Sequence, residues 1–130
     1  MAADRTIGID LGTTYTCAAT LVDGEPQIIR SRRGHTTLPS VVTFDEQGEA
    51  LVGRAAEQRM TLQPQHVIYG AKRLLGRMWD STVPEKYQPH FRYELVKGDD
   101  GFVAARLGDR KVPLLEVSTA ILREIKHAAE

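Results

Sequence analysis

The fold is decided by the segment Ile7-Gly8-Ile9-Asp10-Leu11-Gly12-Thr13-Thr14-Tyr15-Thr16-Cys17. Its apolar residues alternate with Gly8 and Asp10, which predicts a β-strand over residues 5–11, starting at Arg5. Residues 12–15 predict a turn, and residues 16–22 predict a second strand. Asp23-Gly24 is a strong hairpin signal that leads into a third strand at residues 26–30. The sequence therefore predicts an antiparallel start to a sheet.

The turn at residues 12–15 has the chemistry of a phosphate site. Gly12 permits backbone angles that other residues avoid and leaves no side chain to block a ligand. Successive backbone N–H groups in such a turn form a concavity that suits an anion, and the hydroxyls of Thr13 and Thr14 add donors. Asp10 is placed to hold the water shell of a magnesium ion. The same residues also fit an ordinary hairpin in which the aspartate and the threonines only satisfy the turn.

The middle of the chain predicts short elements. Residues 31–40 predict a loop, residues 41–44 a strand, and residues 51–52 a brief apolar run. A helix is predicted over residues 53–61, with Ala55, Ala56 and Met60 as its buried stripe, and a shorter one over residues 71–75, stopped by Gly76. Apolar alternation at 91, 93 and 95 predicts a half-exposed strand, which turns at 98–101 and again at 108–109.

The clearest helix is predicted after Pro113. Its buried stripe is formed by Val117, Ile121, Ile125 and Ala128, with Leu122 and Ala129 widening it. No glycine or proline ends this helix before Glu130, so we expect that the chain continues in a longer parent protein. In the 130-residue chain alone, we expect the opening sheet and this helix, with Val117, Ile121 and Ile125, to lack partners.

Composition excludes several classes of protein. Apolar residues make up 42% of the chain, as in globular proteins, and 17 basic residues balance 17 acidic ones. That balance argues against nucleic-acid binding, which needs a basic excess. No run approaches the roughly 20 apolar residues of a membrane span. The first residues, Met-Ala-Ala-Asp-Arg, lack the long apolar run of a signal peptide, and Cys17 is the only cysteine, so we expect a cytoplasmic protein.

Other candidate sites are weaker. Cys17 is expected to pack as a small core residue rather than to act in redox regulation. The four histidines lack metal-ligand spacing, and the basic run of Arg30, Arg32 and Arg33 is expected to be a solvated loop. The sequence contains no P-loop motif, and its glycine spacing does not fit the dinucleotide fingerprint.

Four stretches resemble the seventy-kilodalton heat-shock chaperones (DnaK type) within the superfamily of actin, sugar kinases and heat-shock ATPases. They lie in order along the chain and nearly keep the family's spacing, at residues 12–17 (Gly-Thr-Thr-Tyr-Thr-Cys), 38–44 (Leu-Pro-Ser-Val-Val-Thr-Phe), 52–56 (Val-Gly, with Ala56 behind) and 71–77 (Ala-Lys-Arg-Leu-Leu-Gly-Arg). A sugar kinase would share the first turn but not the last stretch. The resemblance covers residue 6 to the end.

The resemblance implies an α/β fold, a partial ribonuclease-H-like (actin-like ATPase) lobe with an inserted α+β outer subdomain. The core subdomain would take residues 1–40 and 114–130, and the outer one residues 41–113. Lys72 matches the family's catalytic lysine, which reaches towards the γ-phosphate and the attacking water. Asp10 matches a catalytic carboxylate near magnesium and potassium. Gly12, Thr13, Thr14 and Tyr15 match the turn that binds the phosphates of ATP or ADP.

The implied function belongs to the parent protein: ATP hydrolysis that drives binding and release of unfolded client polypeptides. A J-domain co-chaperone and a nucleotide exchange factor would be its partners, whereas nucleic acid and membrane would not. Leu38 departs from the family's usual threonine, and Thr36 from its frequent arginine, so loop contacts and partner choice are open. A sugar kinase of the same superfamily and a short, non-catalytic chaperone-like binding protein remain alternatives. Without the adenosine-binding segment, the chain alone is expected neither to hydrolyse ATP nor to bind it tightly.

Overall fold

The computed structural model describes residues 6–130, so the predicted strand start at Arg5 lies outside the described residues. The opening sheet is an antiparallel meander of β1 (Ile7–Leu11), β2 (Tyr15–Val22) and β3 (Glu25–Ile28), as predicted. Its hairpin turn has positive φ at both central residues, 52° at Asp23 and 79° at Gly24. These are the signs of a type I′ turn, whose twist matches that of the flanking strands.

The register of β1 and β2 separates two faces of this sheet. Leu11 pairs with Thr16, and Asp10 pairs with Cys17. Directly paired residues share a face, so Leu11 lies with Thr16 while Asp10 lies with Cys17 on the other side. Thr16 is fully buried, whereas Asp10 is exposed. The carboxylate therefore lies on the open face of the sheet, as the alternation of β1 predicts.

The prediction of a loop over residues 31–40 is wrong for the end of that segment. Leu38 and Pro39 form a two-residue strand, β4, which pairs with Tyr15 and Thr16 at the start of β2. Propensity does not favour a strand at a proline, and the pairing depends on a segment more than 20 residues earlier. This strand brings Ser40 next to the turn that precedes β2.

Two further antiparallel sheets fill the middle of the chain. The first has β5 (Val41–Phe44) between β6 (Ala50–Val52) and β7 (Ile68–Tyr69), and the second has β9 (Val103–Leu107) between β8 (Glu94–Lys97) and β10 (Arg110–Pro113). The segments that connect these strands include short 3₁₀ turns at Pro64–His66, Ala71–Arg73 and Gln88–His90 and a π-helical turn at Val83–Tyr87. With the helices below, the observed class is mixed α/β.

Both predicted helices in this region are shorter than expected. Helix α1 covers Arg54–Arg59, and Ala56 is buried as predicted, but Ala55 is exposed. The prediction for Ala55 was wrong because only one narrow side of this short helix touches β5 and β6. The segment predicted as a helix at residues 71–75 forms a 3₁₀ turn at Ala71–Arg73, and Gly76 follows it with φ of 78°.

The closing helix α2 covers Leu114–Ala129. Val117, Ile121 and Ile125 are buried, which confirms the centre of the predicted stripe. Leu122 and Ala129 are exposed, so the predicted widening was wrong on that side. Successive residues of a helix lie about 100° apart, so Leu122 points well away from Ile121. Ala120 widens the buried stripe on its other edge, and Leu114 and Ser118 are buried as well.

One hydrophobic core joins α2 to the two small sheets. Its fully buried members include Val42, Ile68, Tyr93, Val112 and Val117. The expectation that Val117 and Ile121 lack partners is therefore wrong, because residues 41–113 provide them, and Ile125 is buried as well. The opening sheet does leave apolar surface open: Leu21 is 68% exposed and Ile28 is 48% exposed. Within residues 6–130, neither helix is long and apolar enough to cross a bilayer.

Candidate functional site

The tight turn between β1 and β2 requires glycine at its first position. A Cβ atom built on Gly12 would lie 2.1 Å from the carbonyl oxygen of Tyr15, far inside any contact distance. The neighbour is backbone and cannot rotate away. Glycine is required here because there is no room for a side chain, and not because of its backbone angles, since the φ angle of Gly12 is not positive. Gly12 therefore allows the chain to fold back directly over itself before β2 begins.

Ser40 holds this turn from the inside. Its backbone N–H donates to the carbonyl oxygen of Thr14 at 2.8 Å, and its hydroxyl donates to the carbonyl oxygen of Gly12 at 2.9 Å. The Ser40 hydroxyl also lies 2.9 Å from the hydroxyl of Thr16. Ser40 is 5% exposed and Thr16 is fully buried, so water does not compete for these bonds. Two of the four residues of the turn are thus fixed by a residue from a distant part of the chain.

Lys72 reaches the same region from the outer part of the chain. It is the central residue of the 3₁₀ turn Ala71–Arg73, which starts after Gly70 in a left-handed conformation with φ of 65°. Ala71 and Leu74 are buried in the core on either side, and the turn contacts α2. Because these two apolar residues anchor the turn, the side chain of Lys72 stays on the surface, where it is exposed.

A small crevice joins the turn to the lysine. It is lined by Leu11, Gly12, Thr13, Ser40, Ala71, Lys72, Ser118 and Ile121. Its volume is about 10 Å³, room for about one water molecule, so it does not enclose a ligand. The structure therefore brings together three of the predicted site residues, Gly12, Thr13 and Lys72. Thr14, Tyr15 and Asp10 do not line this crevice.

Asp10 lies nearby on β1, exposed on the open face of the sheet. A Cβ atom added at Gly8, two residues earlier on the same face, would meet nothing within 4 Å, so there is free space beside the carboxylate. Within residues 6–130, no group of three or more histidine, cysteine, aspartate or glutamate side chains is placed to hold a metal. A single carboxylate fits magnesium, which keeps several waters and takes further ligands from substrate phosphates.

A second, wider groove of about 560 Å³ lies beside the opening sheet. Its walls come from β2, the loop at residues 29–38, α1 and the last turns of α2. Cys17 lines this groove, and among the described residues it is a free thiol. It is half-buried and lies outside the buried core, so its expected core position was wrong. The groove also carries Arg32 and Arg33, both exposed as the solvated-loop interpretation requires.

Two side chains outside the candidate site have clearly shifted pKa values. The backbone N–H of Thr82 lowers the pKa of the exposed Asp80, with a smaller contribution from Arg77. Burial raises the pKa of Tyr93, whose hydroxyl donates to the carbonyl oxygen of Tyr69 at 2.6 Å. Both groups stabilise the outer part of the chain and have no part in the candidate site.

Sequence reasoning missed the role of Ser40. The residue belongs to one of the family-like stretches, but no local pattern links it to Gly12, which is 28 residues earlier. The available signal was its position directly after Pro39, at the end of a segment that returns to the turn. Only the strand pairing of β4 with β2 shows why that position matters.

The chain is similar to a known protein family. The model of the family described as Hsp70 protein matches residues 6–130, which is nearly the whole chain. The match includes the turn, Ser40, Lys72 and α2 in one continuous alignment.

Proposed function

The chain belongs to the Hsp70 family of chaperones, and from this premise we propose that it carries the first phosphate-binding turn and the catalytic lysine of a chaperone ATPase. Gly12, Thr13, Thr14 and Tyr15 would receive the phosphates of ATP or ADP. Asp10 would hold magnesium through its water shell, with potassium bound nearby. Lys72 would face the γ-phosphate and the attacking water.

One observation carries this proposal: Gly12, Thr13 and Lys72 line the same crevice although the turn and the lysine are about 60 residues apart. A lysine that served only as a solvated surface residue would have no reason to lie beside the turn. The buried neighbours Ala71 and Leu74 restrain the backbone of Lys72 beside the turn.

The arrangement suits phosphoryl transfer. Negative charge spreads over the oxygens of the transferred group, so a preorganised cation lowers the barrier by electrostatic stabilisation. The backbone N–H groups of a tight turn bind phosphate oxygens without side-chain entropy loss. Magnesium, when bound, neutralises phosphate charge, and Asp10 is the carboxylate of this chain placed to orient its waters.

The proposed domain organisation is that of an actin-like ATPase lobe, with residues 1–40 and 114–130 in the core subdomain and residues 41–113 in the outer one. The sheet boundaries support it. The opening sheet takes its last strand from Leu38–Pro39, and the two small sheets lie entirely between Val41 and Pro113. Helix α2 starts at the next residue, Leu114.

The proposed biological role is cycles of client binding and release driven by ATP. Partners would be unfolded polypeptides, a J-domain co-chaperone and a nucleotide exchange factor, and the compartment would be the cytoplasm. These assignments follow the family. Thr36 lies in the loop before β4 and Leu38 is the first residue of β4, and neither lines the crevice at the turn, so these departures would change partner contacts before they changed phosphate binding.

The test uses the parent protein that contains this chain. It should hydrolyse Mg-ATP to ADP and phosphate, and ATP should accelerate release of a fluorescent unfolded peptide. Transfer of the γ-phosphate to a sugar hydroxyl in place of water would instead identify a small-molecule kinase. Peptide binding without any turnover would identify a non-catalytic binding protein. Either result would refute the proposed function.

A further inference from the structure

We infer that Ser40 is a positioning residue for the phosphate-binding turn, and this inference rests on the proposed function. Its hydroxyl fixes the peptide group between Gly12 and Thr13, and so aims a backbone N–H group at the incoming phosphate. Ser40 itself would not touch the nucleotide.

The hydrogen bonds around Ser40 have one consistent direction. The hydroxyl of Ser40 has a single hydrogen, which it donates to the carbonyl oxygen of Gly12 at 2.9 Å. The 2.9 Å contact with Thr16 must then be donated by the Thr16 hydroxyl. The direction of the chain is therefore from Thr16 to Ser40 to Gly12. The Thr16–Ser40 bond is buried, because Thr16 is fully buried and Ser40 is 5% exposed, and the Ser40–Gly12 bond is partly buried.

The direction of these hydrogen bonds determines which backbone group of the turn faces an anion. A peptide group is planar and trans, so the N–H of Thr13 points opposite to the carbonyl of Gly12. Since Ser40 holds that carbonyl inward, the N–H of Thr13 points away from Ser40. Rotation of this peptide would bring the carbonyl oxygen towards a phosphate and repel it. The Ser40 hydroxyl opposes that rotation by holding the carbonyl in place.

The backbone of Ser40 adds a second restraint. Its N–H holds the carbonyl oxygen of Thr14, a bond that survives any side-chain substitution. Removing the hydroxyl therefore should not detach β4 from β2. It should release only the Gly12–Thr13 peptide, which makes Ser40→Ala a selective perturbation of the turn.

The experiment compares variants of the parent protein by their affinities for Mg-ATP and for adenosine, which has no phosphate. Ser40→Ala should weaken Mg-ATP binding about five- to tenfold, the loss expected for one hydrogen bond, and leave adenosine binding unchanged. Ser40→Thr keeps the hydroxyl and should recover most of the Mg-ATP affinity. The matched control is Thr43→Val, because Thr43 is 4% exposed and its hydroxyl donates to the carbonyl oxygen of His66, away from the turn.

A second variant separates position from stability. Ser40→Ala leaves the buried Thr16 hydroxyl without its acceptor, which lowers the melting temperature. The double variant Thr16→Val with Ser40→Ala removes that hydroxyl as well, so it should recover stability but not Mg-ATP affinity. Thr43→Val should lower the melting temperature with no change in affinity for either ligand.

Three results would overturn the inference. The first is a Ser40→Ala protein that melts at a lower temperature but binds Mg-ATP like wild type. The second is an equal loss of affinity for Mg-ATP and adenosine, which indicates general damage. The third is recovery of Mg-ATP affinity together with stability in the double variant. A wild-type parent that binds no Mg-ATP would instead refute the proposed function, and with it the site that Ser40 positions.

Discussion

Substituting Gly12 by alanine should displace the phosphate turn, and the size of the displacement follows from the structure. The added Cβ atom would lie 2.1 Å from the carbonyl oxygen of Tyr15, and real Cβ contacts are essentially never shorter than 3.0 Å. The two groups must therefore separate by roughly 0.9 Å. Neither can do so by side-chain rotation, because the atom that is approached belongs to the backbone at the start of β2.

Two magnitudes follow from that shift. Overpacking of this kind typically costs about 1–3 kcal/mol of stability, which at usual urea dependence lowers the unfolding midpoint by about 1 M. A displacement of about 1 Å in a group that positions substrate can lower the rate about a hundredfold. In the parent protein, Gly12→Ala should therefore lower both the stability and the single-turnover hydrolysis of ATP.

The matched control is Gly8→Ala in the preceding strand. A Cβ atom there meets nothing within 4 Å, and the φ angle of Gly8 is not positive, so no loss of stability is expected. Urea unfolding followed by circular dichroism gives the midpoints, and rapid quench gives the hydrolysis rates. If Gly12→Ala unfolds at the wild-type urea concentration and hydrolyses ATP at the wild-type rate, the steric argument for the turn is wrong.

Three further predictions test other parts of the molecule. In the parent protein, Asp10→Asn should reduce the dependence of nucleotide affinity on magnesium. Titration with nucleotide, with and without magnesium, measures this beside an Asp109→Asn control. An unchanged dependence would mean that Asp10 is only a turn residue. Tyr93→Phe removes the buried hydroxyl bonded to the carbonyl of Tyr69 and should lower the free energy of unfolding by about 1–3 kcal/mol. Because burial raises the pKa of Tyr93 above its ordinary value of 10.0, this tyrosine ionises first in the unfolded chain as pH rises. The free energy of unfolding of the wild type should therefore fall above about pH 10, and more steeply than that of Tyr93→Phe. Equal pH dependence of the two proteins would contradict this. The 130-residue chain alone should show no ATP hydrolysis and no low-micromolar binding of Mg-ATP in isothermal titration. The reason is that a nucleotide is bound by convergent groups from several elements. Tight binding would show that these 130 residues already form a complete nucleotide-binding site.

The sequence predicts those parts of the fold that depend on residues close together along the chain. Asp23-Gly24 specifies its own turn. The strand predicted from the alternation at 91, 93 and 95 was wrong at its start, because β8 begins at Glu94 and only Leu95 of the three lies in it. The stripe of α2 is a property of one helix, so its centre at Ile121 was predictable. Its edges were not, because the exposure of Leu122 depends on which elements surround the helix.

The candidate site also has a part that neighbouring residues predict and a part that they do not. Residues 10–15 are contiguous, and their glycine, threonines and aspartate predict a turn that fits a phosphate site and an ordinary hairpin alike. Lys72 had no local signal beyond a solvated lysine and was identified only through resemblance to a family. Ser40 needed the pairing of β4 with β2, a contact between segments more than 20 residues apart. Local patterns therefore predict the turn but not the residues that meet it from elsewhere.

The central claim is that Lys72 acts on the transferring phosphate, and single-turnover hydrolysis by Lys72→Ala tests it most directly. The parent protein is loaded with radiolabelled Mg-ATP, and free phosphate is followed with time beside a Lys86→Ala control, in which another exposed lysine is removed. Loss of one preorganised electrostatic group should lower the rate about a hundred- to a thousandfold while measurable ATP binding remains. Lys86→Ala should match wild type. Hydrolysis by Lys72→Ala at a near-normal rate would contradict the account.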